Sequence, residues 1–215
     1  MFRLSFFLVF FGLLTACGER PAVDDQTYPW QIKITEKGNN QVFGVELDAM
    51  PLGHAARALK KHYELGLFEN KNAGLSLEAY FNEFTRGGLS GKIIVLLQTD
   101  ENSLNDFKTR SVKQKRQDSG EIKYTLSVKD QKYIEQLIVT GLSYIPYTQL
   151  DKEIIEKRFG IPDRVITSVD KLNHYIYMKK GLDIIQNEDG KELLQYVSPK
   201  NMQRLLKPLE KVINQ

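Results

Sequence analysis

The predicted fold begins with a β-hairpin. Apolar and polar residues alternate in WQIKIT (residues 30–35) and again in QVFGVEL (41–47), and the polar stretch EKGNN between them supplies a turn. Alternation with a period of two places the apolar side chains on one face of a strand. The two runs therefore predict a pair of strands with one buried face.

A helix and two more strands follow the hairpin. Residues 52–63 place Leu52, Leu59 and other apolar side chains on one helical stripe after Pro51. LSLEAYFNEF and IIVLLQT predict strands on either side of the turn RGGLSGK. The second strand is a continuous apolar run, which is typical of a central strand buried on both faces.

The middle of the chain, residues 101–140, predicts a connector. SLNDFKTRSVKQKRQ predicts a helix that Ser103 and Asp106 open as a capping box, and Ser127 and Asp130 open a second helix in the same way. Between these helices EIKYTLSV alternates as a strand. We therefore expect two helices and one strand in this part of the chain.

The last part of the chain predicts a second set of strands around a helix. LSYIPY predicts a strand, and TQLDKEIIEKRFG predicts a helix that Thr148 and Asp151 open and Gly160 ends, with Pro162 just beyond it. The segment DRVITSVDKLNHYIYM is strand-like, as are KKGLDIIQ and ELLQYV, which flank the turn NEDGK.

A C-terminal helix closes the chain. SPKNMQRLLKPLEKVI has Ser198 at the capping position and Pro199 at the first helical position, where proline is favoured. Pro208 lies inside this segment and is expected to kink or end the helix.

The two halves of the chain resemble each other in layout. LEAYF (77–81) aligns with LNHYI (172–176), and GGLSGKII (87–94) aligns with KGLDII (180–185). The fold class predicted is α+β: two diverged repeats of a helix plus antiparallel strands, joined by a helical connector and closed by the C-terminal helix. Coincidence among common α+β elements is the alternative.

The N-terminus carries a signal for export and lipidation. Arg3 precedes an apolar run of secretory length, too short to span a bilayer, and the run ends in LTAC. The only cysteine of the chain is Cys17. LTAC resembles the lipobox of bacterial lipoproteins, which implies that Cys17 is acylated and that the chain is cut just before it. An ordinary signal peptide with an incidental cysteine is the alternative.

The lipobox and the predicted elements together divide the chain into segments. We expect a signal peptide over residues 1–16, a lipidated tether over 17–29, a first repeat over 30–100, the connector over 101–140, and a second repeat with its C-terminal helix over 141–215. The residue after the cysteine is Gly18 rather than aspartate. In bacterial lipoproteins, the absence of aspartate at this position implies that the protein is anchored on the periplasmic face of the outer membrane. Removal of Arg3 with the signal peptide lowers the net charge from +3 to +2. A charge so small gives no indication of a nucleic-acid partner.

The second half also resembles a protein family. LDKEIIEKRFGIPDRV followed by HYIYMKKGLDIIQNEDGK resembles the SmpA/OmlA family of small outer-membrane lipoproteins, which includes an accessory subunit of the β-barrel assembly machine. The tandem layout is similar to the fold of secreted β-lactamase inhibitory proteins. The whole chain also resembles proteobacterial lipoproteins of this length that have no assigned activity.

No catalytic or metal-binding pattern stands out in the sequence. No Gly-x-Ser-x-Gly elbow is present, and RGGLSGKI lacks the first glycine and the Ser or Thr of a phosphate loop. His54 and His62 are two helical turns apart, about 12 Å by helix rise, too far for one metal ion. His174 has no acidic residue near it in sequence. We therefore expect no cofactor and no enzyme activity.

Two sets of side chains remain as candidates for binding. Tyr175 and Tyr177 alternate with their neighbours and are candidates for contact with a protein partner, if they face outward rather than into the core. The connector helix carries candidates for contact with anionic surfaces, although a merely solvated helix face is the alternative. These are Lys108, Arg110, Lys113, Lys115 and Arg116.

The sequence thus predicts a lipid-anchored, non-enzymatic protein that binds an envelope protein or assists envelope assembly. The membrane is engaged through the N-terminal lipid. A periplasmic inhibitor of a hydrolase, acting through NEDGK or TRGGLSG as an inserted loop, is the alternative.

Overall fold

The computed structural model describes residues 28–71, 73–187 and 192–213. The signal peptide, Cys17 and almost all of the tether lie outside the described residues, as do residues 188–191 of the NEDGK turn. What the sequence predicts for those segments stays a prediction.

Five helices and thirteen strands make up the described part of the chain. The helices are α1 (Leu52–Leu59), α2 (Glu101–Thr109), α3 (Val128–Ile134), α4 (Lys152–Phe159) and α5 (Gln203–Ile213). The strands are β1 (Lys33–Ile34), β2 (Asn40–Val42), β3 (Val45–Glu46), β4 (Glu64–Asn70), β5 (Gly74–Arg86), β6 (Leu89–Leu97), β7 (Lys113–Arg116), β8 (Ile122–Thr125), β9 (Val139–Pro146), β10 (Arg164–Thr167), β11 (Asn173–Tyr177), β12 (Leu182–Gln186) and β13 (Leu193–Val197).

Ten of the strands form one antiparallel sheet, and the other three form a small separate sheet. The large sheet has the order β10-β11-β12-β13-β9-β6-β5-β4-β8-β7, and the small one has the order β1-β2-β3. Both halves of the chain contribute to the large sheet and meet where β6 pairs with β9. The α+β fold class is therefore confirmed.

One face of the large sheet carries the main core. Alternate residues of each strand point to this face, which we call the first face, for example Ile93, Val95 and Leu97 of β6. Helices α1 to α4 and the small sheet contribute apolar side chains to the same core, among them Leu52 and Phe159. Phe159 is 1% exposed, as its place on the apolar stripe of α4 predicts.

The opposite face, which we call the second face, is covered at one end. Helix α5 lies over the end of the sheet formed by β10 to β13, where Met202, Leu206 and Leu209 pack against Ile176 and Val197. Within the described residues, the apolar cluster beneath α5 reaches no strand beyond β13. The second face over β9, β6 and β5 is consequently left half-buried.

A buried asparagine joins the small sheet to the second half of the chain. The Asn40 side chain is fully buried, and its Nδ2 donates to the carbonyls of Lys180 and Val197 at 3.0 and 2.9 Å. Gly181 lies beside it with a φ of 63°, and a Cβ there would stand 1.9 Å from the Val197 carbonyl oxygen. Only glycine fits this backbone approach.

Replacing Asn40 with alanine is expected to destabilise the protein by about 1–3 kcal/mol, because two buried carbonyls lose their donor. Chemical unfolding monitored by circular dichroism measures this loss. Asn102→Ala is the matched control, since Asn102 is exposed on α2 and surface changes usually stay within about 0.5 kcal/mol. Equal stability of the two variants would contradict this role for Asn40.

The N-terminal hairpin forms, but its second predicted strand is split. Lys33 of β1 pairs with Gln41 of β2, as the alternation predicts. Phe43 and Gly44 then adopt positive φ angles of 53° and 80°, and the chain turns back so that Val42 pairs with Val45 of β3. Two consecutive positive φ angles make the tight turn that joins neighbouring antiparallel strands.

The sequence missed strand β4 and made helix α1 too long. Helix α1 ends at Leu59, because Lys60 adopts a left-handed conformation with a φ of 53°. The next residues form β4, which pairs with β5 from Glu64 opposite Tyr80 to Asn70 opposite Gly74. The predicted helix over residues 52–63 is therefore wrong in its last turn.

The connector helix is wrong over its second half. Helix α2 ends at Thr109, and the basic segment after it is strand β7, which pairs with β8 at the edge of the large sheet. The segment KQKR of β7 has no apolar side chain to place against the core. An edge strand with both of its faces exposed accepts such a sequence.

Helix ends follow the predicted chemistry with two shifts. The side chains of Asp100 and Asp151 accept the backbone N–H groups of Ser103 and Ile154, so the caps predicted at Ser103 and Thr148 each lie three residues out of place. A carboxylate at an N-cap also interacts favourably with the helix dipole. The cap predicted at Ser127 is confirmed.

The C-terminal helix forms, but it begins later than the sequence predicts. Residues Pro199–Asn201 form a short 3-10 turn, and Ser198 makes no side-chain capping bond there. Helix α5 continues past Pro208 to Ile213, so the helix does not end at Pro208. Proline removes one intrahelical hydrogen bond without obliging the helix to stop.

The aligned segments of the two halves occupy comparable strands with different turns. Residues 77–81 lie on β5 and residues 172–176 overlap β11, and each strand opens an antiparallel hairpin. Gly87 and Gly88 alone connect β5 to β6, whereas a 3-10 turn and Gly181 connect β11 to β12. The duplication itself stays a prediction.

Candidate functional site: the open half of the sheet

The two tyrosines predicted to contact a partner are buried in the core. Tyr175 is 4% exposed and Tyr177 is 3% exposed, because both point to the first face beneath α4. The Tyr177 hydroxyl donates to the carbonyl of Gly160, and burial raises the pKa of Tyr177 to about 12. The outward orientation on which the partner-binding prediction rests is therefore wrong.

Two of the five predicted basic contacts are engaged inside the fold. Lys108 lies 2.6 Å from Glu69, and this bond is the main reason that the pKa of Glu69 is lowered. Arg110 lies 2.9 Å from the buried carboxylate of Asp130. Burial alone would raise the pKa of Asp130, but bonds from Arg110 and Ser127 outweigh burial and lower it. Lys108 therefore links α2 to β4, and Arg110 links the end of α2 to α3.

The other three basic residues lie on strand β7 rather than on a helix. Every residue of β7 is exposed, and Lys113 and Lys115 share the second face while Arg116 points to the first. Cationic side chains on an edge strand also discourage pairing with another chain. The prediction of a single basic helix is wrong, and contact of β7 with an anionic surface stays a prediction.

The histidines divide into two exposed residues and one buried residue. His54 and His62 are exposed on and just after α1. His174 is 6% exposed, and its Nδ1 lies 2.8 Å from the carboxylate of Asp183 on the adjacent strand. Burial raises the pKa of Asp183, and the bond to His174 offsets part of that rise. Sequence reasoning missed this pair because the partners lie nine residues apart on different strands.

A groove lies on the second face, beside α5. Its floor is formed by side chains of three adjacent strands, which we call the open sheet face. These are Glu78 of β5, Ile94 and Leu96 of β6, and Ser143 of β9, and Tyr80 of β5 lies next to Glu78 on the same face. The groove has a volume of about 520 Å³, and Arg204 and Leu205 of α5 form one wall.

A hydrogen-bonded carboxylate lies on the β5 side of the open sheet face. Ser76 donates to one oxygen of Glu78 at 2.8 Å, and the Tyr80 hydroxyl donates to the other. Burial, followed by this bond, raises the pKa of Tyr80 well above its ordinary value. The two bonds hold Glu78 in one orientation, with Arg204 lining the same groove.

An aromatic and cationic border closes the open sheet face on the side away from α5. Phe68 of β4 lies 5.3 Å from Tyr80 between ring centroids. The Lys123 ammonium lies over both rings, 5.7 Å from the Phe68 centroid and 5.8 Å from that of Tyr80. Aromatic side chains with a cation above them are frequent in binding surfaces.

The groove continues towards one end of the sheet, beside the 3-10 turn that precedes α5. A second volume of about 630 Å³ there is lined by Ser76, Leu96, Thr140, Asn201 and Arg204, among others. Asn201 donates to Asp48 at 2.7 Å and so fixes this end of the groove. The combined surface is an elongated depression, with a mainly apolar floor beside α5 and a mixed polar and apolar lining at this end.

These features suit recognition of an apolar surface with polar margins. Apolar floor residues bury area on contact, and the fixed carboxylate and the cations orient a partner. Within residues 28–71, 73–187 and 192–213, no three His, Cys, Asp or Glu side chains lie close enough to hold a metal ion.

Sequence reasoning missed the open sheet face, although its residues carry a signal. Glu78, Tyr80, Ile94 and Leu96 alternate with buried residues along β5 and β6. The continuous apolar run of β6 predicts burial on both faces. One face of that run lies in the core and the other lies on the groove, because α5 does not extend over it. The sequence alone does not show how far α5 extends.

Comparison with protein-family models, with curated proteins and with solved structures found no match for this chain. In the described part of the chain, no helix combines the length and the apolar character needed to cross a bilayer.

Proposed function

We propose that this protein is a lipid-anchored, periplasm-facing lipoprotein of the outer membrane, and that it binds a protein partner on the open sheet face without catalysing a reaction. The observation that carries the proposal is the half-buried apolar floor of Ile94 and Leu96 beside α5. The lipobox at Cys17 supports the anchor, and two or more acyl chains give stable membrane retention.

The occupant we propose is an amphipathic helix of the partner protein. The second face between β9 and β4 spans about 14 Å, at about 4.8 Å per strand. That width matches a helix of about 10–12 Å diameter. Helix α5 covers the neighbouring strands of the same face in this way, through Leu206 and Leu209.

The charges around the groove indicate which residues the proposed partner helix carries at its margins. Arg204 lines the wall on the α5 side, and Lys123 lies on the opposite border. Glu78 lies between them on β5. We therefore expect acidic residues at both margins of the partner helix, and at most one basic residue on its apolar stripe where it meets Glu78.

The SmpA/OmlA resemblance of the second half suggests where to look for this partner. Members of that family include an accessory subunit of the β-barrel assembly machine, so subunits of that machine are the first partners to test. The inhibitor alternative gains less support from the described residues. Arg86, before the Gly87-Gly88 turn, donates to the carbonyls of Phe43 and Ala58 and holds the turn against the fold.

Photo-crosslinking in cells tests the proposed groove. A photoreactive residue at Ser143 is expected to capture partner residues spaced three or four apart, as one face of a helix presents them. Leu96→Glu should abolish this capture, because a carboxylate enters the apolar floor. Val112→Glu is the matched control, since Val112 is 69% exposed near the far edge of the sheet.

Two results would contradict this function. Capture that is unaffected by Leu96→Glu would show that the floor of the groove makes no contact. Capture of a hydrolase through residues lining its active site would instead support the inhibitor alternative.

A further inference from the structure

An exposed apolar side chain lies just after the C-terminal end of α4. The first described residues of the chain pack against the same end of this helix. Ile161, just after the helix, is 90% exposed, more than any other large hydrophobic side chain among the described residues. It follows Gly160, whose φ of 83° turns the chain away from the helix axis. Ile161 therefore contributes almost no buried surface to the core.

The segments beside Ile161 are rich in cations. The last turn of α4, the start of β10 and the turn after β11 together contribute five cations and two carboxylates, Glu156 and Asp163. The cations are Lys157, Arg158, Arg164, Lys179 and Lys180. Asp163 accepts the backbone N–H of Met178, and Lys180 donates to the carbonyl of Phe159, so the two segments are held together. We call Ile161 and these cations the α4 end.

The tether joins the fold beside the α4 end. Tyr28 stacks on Trp30 with a centroid distance of 4.8 Å, and the Arg158 guanidinium lies 4.7 Å from the Trp30 ring centroid. Trp30 also packs edge-on against Phe159. The chain therefore leaves the described structure next to the last turn of α4.

The length of the tether then limits which surface can meet the membrane. Ten residues lie between Cys17 and Tyr28, so the two are eleven chain steps apart. Eleven steps reach about 40 Å at most, when fully extended. The far edge strand, β7, lies nine strand spacings from β10, about 43 Å along the sheet. Of these two basic surfaces, the α4 end is consequently the one that the tether holds nearer the bilayer.

We propose that the α4 end rests on the phospholipid surface, with Ile161 inserted among the headgroups and its cations against anionic lipid. An apolar side chain flanked by Lys and Arg suits a membrane interface. Tethering raises the local concentration of the surface, so weak contacts suffice. This orientation rests on the proposed lipid anchor. It leaves the open sheet face, on the other side of the sheet from α4, accessible to the periplasm.

Site-specific fluorescence in vesicles tests the orientation. The full-length acylated protein, with Ile161→Cys carrying an environment-sensitive dye, is reconstituted in phosphatidylethanolamine and phosphatidylglycerol with or without nitroxide-labelled lipid. Acylation is expected to consume the thiol of Cys17, so one site is labelled. We expect the dye at position 161 to lose most of its emission to the nitroxide lipid.

Val112→Cys is the matched control. Val112 is 69% exposed and precedes Lys113, Lys115 and Arg116, so it combines an apolar side chain with cations at the far edge. A dye there should keep its emission. Lys157→Glu with Lys179→Glu should restore the emission at position 161 while the protein still floats with the vesicles.

The outcomes separate the orientation from the anchor. Flotation with no quenching at position 161, or with stronger quenching at position 112, overturns the orientation and leaves the anchor standing. Unquenched emission at position 161 would mean that the α4 end faces the periplasm and is free for a protein partner. Failure of the wild-type protein to float overturns both proposals.

Discussion

Replacing Cys17 with alanine is expected to remove the protein from the outer membrane completely. Each buried methylene of an acyl chain contributes about 0.8 kcal/mol, so losing all the chains removes far more binding free energy than the α4 end can supply. Fractionation of cells and incorporation of labelled palmitate measure the change. The variant should appear in the soluble periplasmic fraction, or uncleaved in the inner membrane.

Cys17→Ser is a useful companion to that variant, because it keeps the size and polarity of the side chain but removes the thiol that is acylated. Both variants should behave alike. If Cys17→Ala still incorporates labelled palmitate, the interpretation of LTAC as a lipobox is wrong.

Replacing Phe159 with alanine is expected to destabilise the fold by about 3–5 kcal/mol, the usual cost of removing a buried phenylalanine. The ring is 1% exposed and touches Trp30 edge-on, with a centroid distance of 6.2 Å. Tyr177 lies on its other side, also at 6.2 Å between centroids. The loss would therefore loosen α4, the N-terminal segment and β11 together.

Urea unfolding of the variant in the non-acylated Cys17→Ala background measures this loss. Ile161→Ala is the matched control, because Ile161 lies two residues further on and is 90% exposed. The control should change the free energy of unfolding by less than about 0.5 kcal/mol. A loss below about 1 kcal/mol for Phe159→Ala would contradict its burial in the core.

The two proposed surfaces divide the molecule by function. Helices α1 to α4 and Trp30 lie on the first face of the sheet, where the α4 end is proposed to meet the membrane. Helix α5 and the open sheet face occupy the second face. A partner bound there would approach from the periplasm, so anchoring and recognition would not compete for the same surface.

Local patterns predicted most elements but few of their neighbours. The caps, the Gly160 helix end and the alternation of β5, β8 and β13 depend on residues close in sequence, and they predicted helices and strands near the observed positions. Strand β7 was missed because KQKR has the composition of a solvated helix. Pairing with β8 decides its conformation, and that pairing is a contact outside the segment itself.

The sequence by itself determined the α+β class, the approximate positions of the helices, the burial of Phe159 and the expectation of a lipid anchor at Cys17, because each follows from periodicity or from a short motif. The tertiary structure decided which face each strand shows to the core. Tyr175 and Tyr177 alternate equally well facing inward or outward, and only the position of α4 above them buries both. Likewise, the Asp183 partner of His174 and the open sheet face exist only because strands distant in sequence lie side by side and α5 covers just one end of the sheet.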